Sequence, residues 1–305
     1  ADPERLSLRA TMPRFLDMEE EHGSIIRAMM IEQRKAQRRQ GSDSGARYSL
    51  FMSLKGGMQT LVDAISARLP EGTIRLNRCV RLLSKANDLW DILMDDGTRL
   101  NADGVIIATS AHNAAVLSEG FDPSLALDLA RIQYASSAVI NLGYRCEDIP
   151  HPLDSFGFIV PIVERRPIIA CSFSSVKFAG RAPEGNALLR CFIGGALQPD
   201  VYEWDDDSLI GAMCKEMRDL LGIKAQPIFA MVHHHPQSMP QYPVGHLEQI
   251  SRINYRVKQH RGLAIAGNAY GGVGIPDCIH SGESAAEAVV NDIGRYSNQC
   301  RGMLP

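Results

Sequence analysis

Residues 261–293 read R-G-L-A-I-A-G-N-A-Y-G-G-V-G-I-P-D-C-I-H-S-G-E-S-A-A-E-A-V-V-N-D-I. Leu263, Ala264, Ile265 and Ala266 form an apolar run short enough to be a strand buried on both faces. Gly267, Gly271, Gly272 and Gly274 follow within eight positions, with Pro276 directly behind. From Ser281 onward the small residues Gly282, Ser284, Ala285, Ala286 and Ala288 predict a helix that lies very close to a neighbour. Strand, glycine turn and helix N-terminus together let backbone N–H groups and the positive end of a helix dipole approach an electron-rich ligand. Without side chains in the way, a planar ring can lie against such a backbone. The same glycines also suit a tight strand-to-helix connection with no ligand at all, and the pattern alone leaves both readings open.

The rest of the composition narrows the class. A chain of 305 residues can bury a large core in one or two domains. Hydrophobic residues make up 45% and charged residues 22%, an ordinary globular balance. A net charge of −3 gives no basic footprint for nucleic acid. The 7 cysteines are widely spaced, odd in number and never in C-x-x-C, which points to reduced thiols and a cytoplasmic setting and away from zinc or a disulfide frame. His233, His234 and His235 would alternate faces on a strand, so no metal site is expected there. No signal peptide and no 18-residue apolar run is present, so no membrane span is expected.

Taken in order, residues 1–16 do not read as the start of a domain, and G-x-G-x-x-G occurs nowhere. Asp17–Arg39 predicts a helix with Met18, Ile25, Ile26, Met29 and Met30 near helical period. Its end carries Arg34, Lys35, Arg38 and Arg39, either a solvated helix end or a contact for anionic lipid or carboxylates. Gln40–Arg47 reads as a loop. After Ser53-Leu54-Lys55-Gly56-Gly57-Met58, a helix with Leu61, Val62, Ile65 and Leu69 on one face is expected. Short strands follow at Ile74 and Leu76, at Val80, Leu82 and Leu83, and at Leu89, Trp90, Ile92 and Met94. Asp95–Thr98 is a hairpin turn and Ala102–Thr109 a buried strand ending in small residues. Helices are predicted at Ala111–Ser118, Pro123–Ala130, Asp205–Leu221 and near Leu247–Gln259. Strands at Ala138–Tyr144, Phe156–Val163, Ile168–Phe173 and Ala187–Gly195 lack βαβ alternation and predict an antiparallel sheet.

The string A-G-N-A-Y-x-G-V-x-I-x-D-C-I-x-S-G at 266–282 resembles the C-terminal flavin-binding segment of the protoporphyrinogen oxidases, members of the flavin amine oxidase superfamily. Further likenesses are S-L-x-G-G-x-x-x-L at 53–61, F-G-x-x-V-P at 156–161, the hydrophobic-G-G element at 192–195 and P-Q-Y-x-x-G-H at 240–246. The resemblance implies FAD as cofactor, with Asn268, Val273, Gly274 and Ile275 along the isoalloxazine ring and Val80 at the adenine end. Ala108 and Thr109 would lie near that end. It places Phe156, Ile159 and Phe192 in a tetrapyrrole pocket, though all three also suit a plain sheet core. The doublet Gly56-Gly57 suits either a cofactor contact or a glycine-initiated core helix.

The implied fold is mixed α/β and α+β: a partial FAD-binding Rossmann-like domain, an antiparallel-sheet substrate domain and a helical segment. The implied division is helical 1–52, FAD-binding 53–130, substrate sheet 131–246 and FAD-binding again 247–305. With the dinucleotide fingerprint missing, the chain reads as the C-terminal two-thirds of a longer oxidase. The implied reaction is the dehydrogenation of protoporphyrinogen IX to protoporphyrin IX by three two-electron steps, with dioxygen as acceptor, as in haem biosynthesis. No nucleophile or general-base constellation stands out, as expected where a cofactor carries the chemistry. The implied partners are a tetrapyrrole and dioxygen, while a peripheral membrane contact and a homodimer stay open. The alternatives are another flavin amine oxidase or desaturase, for which Tyr270 is the only aromatic candidate in the turn, and a fragment inert without flavin.

Overall fold

The computed structural model describes residues 2–39, 52–86 and 88–301. The Gln40–Arg47 loop and the side chains of Arg38 and Arg39 lie outside that description. The strands in chain order are β1 Val80–Ala86, β2 Leu89–Met94, β3 Arg99–Ala102, β4 Val105–Ile107 and β5 Tyr134–Arg145. They continue with β6 Gly157–Ile159, β7 Ile168–Phe173, β8 Asn186–Gly194, β9 Phe229–Pro240 and β10 Leu263–Ile265. Helices and antiparallel strands mix as the resemblance implied. The chain forms two compact units, and each is described by itself.

The first unit gathers 52–74 and 134–239 around a five-stranded sheet in the order β6-β7-β8-β5-β9. Period-two alternation decides its faces. On β8, Ala187, Leu189, Cys191 and Ile193 are buried, while Leu188, Arg190 and Phe192 are not. The buried face packs on the helix Asp206–Leu221 through Leu209, Met213, Met217 and Leu221. Burying each such side chain is worth about 1.5–3 kcal/mol, enough to fix which face turns inward. The helix expected from Asp205 begins at Asp206, because Asp205 caps it: its side chain accepts the Ser208 N–H at 2.8 Å, and left-handed Gly222 (φ 72°) ends the helix. The strand expected over Phe156–Val163 is only Gly157–Ile159, because Pro161 cannot donate to the ladder and Ile162–Glu164 turns as a 3-10 helix. The 59–66 helix (Gln59–Ser66) ends before Leu69. No strand forms at Ile74 and Leu76; Leu76 is 77% exposed and has no sheet to bury it.

The second unit gathers 3–39, 75–133 and 240–301. The single helix expected over Asp17–Arg39 is two, Pro13–His22 and Ile25–Arg39, divided by left-handed Gly23 (φ 68°). Met18 and Ala28 are buried there, while Ile26, Met29 and Met30 are exposed. The antiparallel sheet β1-β2-β3 turns at Asp95–Thr98, where Met94 N–H donates to Thr98 O at 2.8 Å. Trp90 is its buried anchor, donating from Nε1 to Arg261 O at 3.1 Å with its ring edge-on to Phe121. The expected strand Ala102–Thr109 is divided: Ala102 closes β3 and the buried part is Val105–Ile107. Helices Ala111–Ser118 and Pro123–Ala130 stand where the periodicity put them, and His246–Val257 follows. Asp128 is buried between helices and accepts from Arg256 Nε at 2.8 Å. No helix among the described residues is long and apolar enough to cross a membrane.

Candidate functional site: a clamped glycine turn and an open sheet face

In the second unit, β10 lies parallel to β4 with Leu263 beside Val105 and Ile265 beside Ile107. Both strands end at the same level, and in parallel sheets the crevice beyond the carboxyl ends is where ligands are held. The pair is pressed onto the helix Ile275–Arg301 through Ala264, Ala266, Ala285 and Val289. Gly104 makes this approach close, since a Cβ there would stand 2.4 Å from Val289 Cγ1. The small residues from Ser281 onward therefore do face a neighbour, but the helix begins earlier, at Ile275. Pro276 in the first turn explains the early start, because its missing N–H costs nothing there.

Between strand and helix, the turn is held from three sides. Gly267 N–H donates to Ser281 Oγ at 3.1 Å, and Gly274 N–H donates to Asp277 Oδ2 at 3.1 Å. The third tie comes from Tyr242. Its hydroxyl donates to Asn268 O at 2.6 Å and accepts from Gly272 N–H at 3.0 Å, so one side chain holds both limbs of the turn. Tyr242 is fixed in turn. Its ring stacks on His246 at 4.0 Å and 16°, and its carbonyl accepts from Ser7 N–H at 2.8 Å. Burial pushes the His246 imidazole below its ordinary pKa, partly offset by the Ala269 backbone, so the ring is neutral at pH 7. Gly272, at φ +143°, needs to be glycine on two counts: its conformation, and the Asp277 Cγ that a Cβ would meet at 2.5 Å.

Asn268, Val273, Gly274 and Ile275 lie on the segment that follows β10, beyond the carboxyl ends of the two paired strands. Val273 is 63% and Ile275 51% exposed, and Gly274 lies between them. Ala108 and Thr109, also exposed, follow directly on β4, and Thr109 O lies 3.9 Å from where a Gly267 Cβ would stand. Val80 is not among them: it opens β1 on the separate three-stranded sheet. A cavity of about 410 Å³ adjoins the turn at Tyr270, Gly271, Asp277 and Ser281, and a Cβ on Gly271 would meet only open space. None of Asn268, Val273, Gly274, Ile275, Ala108 and Thr109 lines that cavity. Tyr270 is buried, so it offers no exposed aromatic wall.

In the first unit, register decides which residues share the face turned away from the helix. Ile159 pairs with Ala170, Ala170 with Phe192 and Phe192 with Val139, a continuous row across four strands. The next row is Gly157, Ser172, Arg190 and Asn141. Of the expected substrate residues, Ile159 (81% exposed) and Phe192 thus stand in one row. Phe156 precedes β6 on the alternate parity and is not brought to that row. A cavity of about 560 Å³ opens on this face, with Phe192, Phe178, Met58, Arg190, Arg181 and Lys177 among its lining. Among the described residues, no acidic side chain lines it. Composition gave no hint of this cationic pocket, because its members are scattered from 177 to 190 in a chain of net charge −3.

The model of the flavin containing amine oxidoreductases matches residues 1–290. The coproporphyrinogen III oxidase of Staphylococcus aureus is 30% identical over 296 residues, covering 96% of this chain and 63% of that protein. The mitochondrial protoporphyrinogen oxidase of Nicotiana tabacum is 27% identical over 323 residues, covering 98% and 64%. In structure, a candidate protoporphyrinogen oxidase from Exiguobacterium sp. 255-15 superposes with a TM-score of 0.78 at 24% identity, covering 93% of this chain and 59% of that one. The chain spans about three-fifths of the length of these relatives.

Proposed function

Because this chain belongs to the flavin containing amine oxidoreductase family, we propose that it is the larger part of an FAD-dependent porphyrinogen oxidase. FAD is the family's cofactor, and when bound it accepts electrons from the substrate and returns them to dioxygen. In the proposed reaction a porphyrinogen loses six hydrogens in three two-electron steps, and three dioxygen molecules become three hydrogen peroxide molecules. The role of this chain's own residues is to hold and orient. The clamped turn Asn268–Ile275 would support the ring edge of the flavin, with Val273 and Ile275 as apolar contacts and Gly274 leaving the backbone bare. Ala108 and Thr109 would border the same crevice. Val80 stands on a separate sheet and would serve the other end of a long dinucleotide. In the other unit, Ile159 and Phe192 would support one face of the macrocycle, and Phe156 its margin.

The observation that carries the reading is the pair of rows on the open sheet face, apolar Ile159–Ala170–Phe192–Val139 beside polar Ser172–Arg190–Asn141. A porphyrinogen has the same division, a broad greasy ring with carboxylates at its rim, and pockets for such ligands are mostly apolar with a few placed polar groups. A small amine would have no use for a face of that breadth. The relatives named for porphyrinogens support this substrate class without deciding between protoporphyrinogen and coproporphyrinogen. The test is to load the protein with FAD, add coproporphyrinogen III or protoporphyrinogen IX in air, and follow porphyrin fluorescence and peroxide. Growth of both signals above the autoxidation rate is expected. A flavin-replete protein that produces neither would overturn the proposal.

A further inference from the structure

We propose that the cationic pocket on the open sheet face selects macrocycles by the number of carboxylates they carry, with Arg190 as the deciding side chain. This rests on the porphyrinogen reading above and goes further, since it ranks substrates within that class. The register sets Arg190 on β8 between Asn141 on β5 and Ser172 on β7, one step along the strand from Phe192. Its Nε donates to Asn141 Oδ1 at 3.3 Å, which orients the guanidinium, while no partner among the described residues takes its two terminal nitrogens. A guanidinium held in this way presents a fork that matches a carboxylate.

A second cationic centre lies in the same cavity. Arg181 Nη2 donates to Ser53 Oγ and to Leu54 O, both at 2.9 Å, so it too is positioned in advance. Its guanidinium and the Lys177 ammonium lie 5.9 and 5.6 Å from the centre of the Phe178 ring. Among the described residues, the cavity lining contains no Asp or Glu. Arg181 and Lys177 form one anchor at the pocket wall, and Arg190 forms another on the sheet floor. The three cations Lys177, Arg181 and Arg190 outnumber the two carboxylates of a ring substituted on two neighbouring pyrroles. A ring with a carboxylate on every pyrrole has enough to pair with all three, so the tetracarboxylate is the preferred ligand.

The test titrates the 305-residue chain with two fluorescent porphyrins, coproporphyrin III (four carboxylates) and mesoporphyrin IX (two), in the parent and in Arg190→Gln and Arg190→Lys. In Arg190→Gln the Kd for coproporphyrin III should rise about fivefold, the upper value for a solvent-accessible ion pair. The Kd for mesoporphyrin IX should change less than about twofold, and Arg190→Lys should recover part of the difference. Because the ratio of the two affinities is read, a general folding defect moves both values together and does not imitate the effect. Equal losses for the two porphyrins, or no loss for either, would overturn the role given to Arg190 and leave the porphyrinogen reading standing. Failure of the parent chain to bind either porphyrin would instead overturn the reading on which this one rests.

Discussion

Replacing Tyr242 with Phe isolates the tie that shapes the glycine turn. The ring would remain stacked on His246 at 4.0 Å, but the bonds to Asn268 O at 2.6 Å and from Gly272 N–H at 3.0 Å would be lost. Each such bond contributes about 1 kcal/mol net, and their shared loss near a partly buried turn comes to about 2 kcal/mol. That corresponds to roughly a 30-fold change in an opening equilibrium. Native-state hydrogen exchange reads it locally: the Gly272 amide of Tyr242→Phe should exchange about 30-fold faster than in the parent, while amides in β5 and β8 keep their rates. The measurement needs neither flavin nor substrate. An exchange rate at Gly272 within about twofold of the parent would show that the hydroxyl does not hold the turn.

Three further predictions come from the same two units. Gly272→Ala must place an L side chain at φ +143° and a Cβ 2.5 Å from Asp277 Cγ, so it should lose about 1–3 kcal/mol in urea denaturation; a neutral result would mean the turn relaxes freely. His246 is buried and its pKa is depressed, so the unfolded chain takes up a proton near pH 6.5 that the folded chain resists. Its contribution to stability is intact above that pH and is lost as the pH falls below it. His246→Gln should flatten the denaturation midpoint over this window relative to the parent, and an unchanged slope would refute the assignment. Phe192→Ala should weaken porphyrin binding about tenfold, by loss of roughly 1.4 kcal/mol of ring contact, with flavin content unaltered; loss of flavin instead would place Phe192 in the wrong site.

What could be read from the residues was mostly local. The Asp95–Thr98 turn and the helices at 111–118, 123–130 and near 205–221 each depend on side chains within a few positions of one another. The misplacements have local causes too. Gly23 broke a pattern that looked continuous, Pro276 moved a helix start from Ser281 to Ile275, and Ile74 and Leu76 had the right residue types with no sheet to join. The site was legible only in halves. Sequence likeness singled out 266–282 and P-Q-Y-x-x-G-H, but no periodicity links Tyr242 to Gly272 across 30 residues. The row Ile159–Ala170–Phe192–Val139 and the placing of Arg190 beside Asn141 follow from strand register, which non-local pairing decides. Phe156, immediately before a strand whose alternate positions face the cavity side, shows how one step in register separates a pocket residue from its neighbour.

The proposed flavin site depends most on the turn Asn268–Ile275 lying against a flavin. Hydrogen exchange of the full chain with and without saturating FAD, read peptide by peptide, tests this directly. The amides from Asn268 to Ile275, together with those at Ala108 and Thr109, should slow on adding FAD and return to their starting rates when it is dialysed away. FAD that leaves those amides unchanged, or slows exchange only elsewhere, would contradict the account.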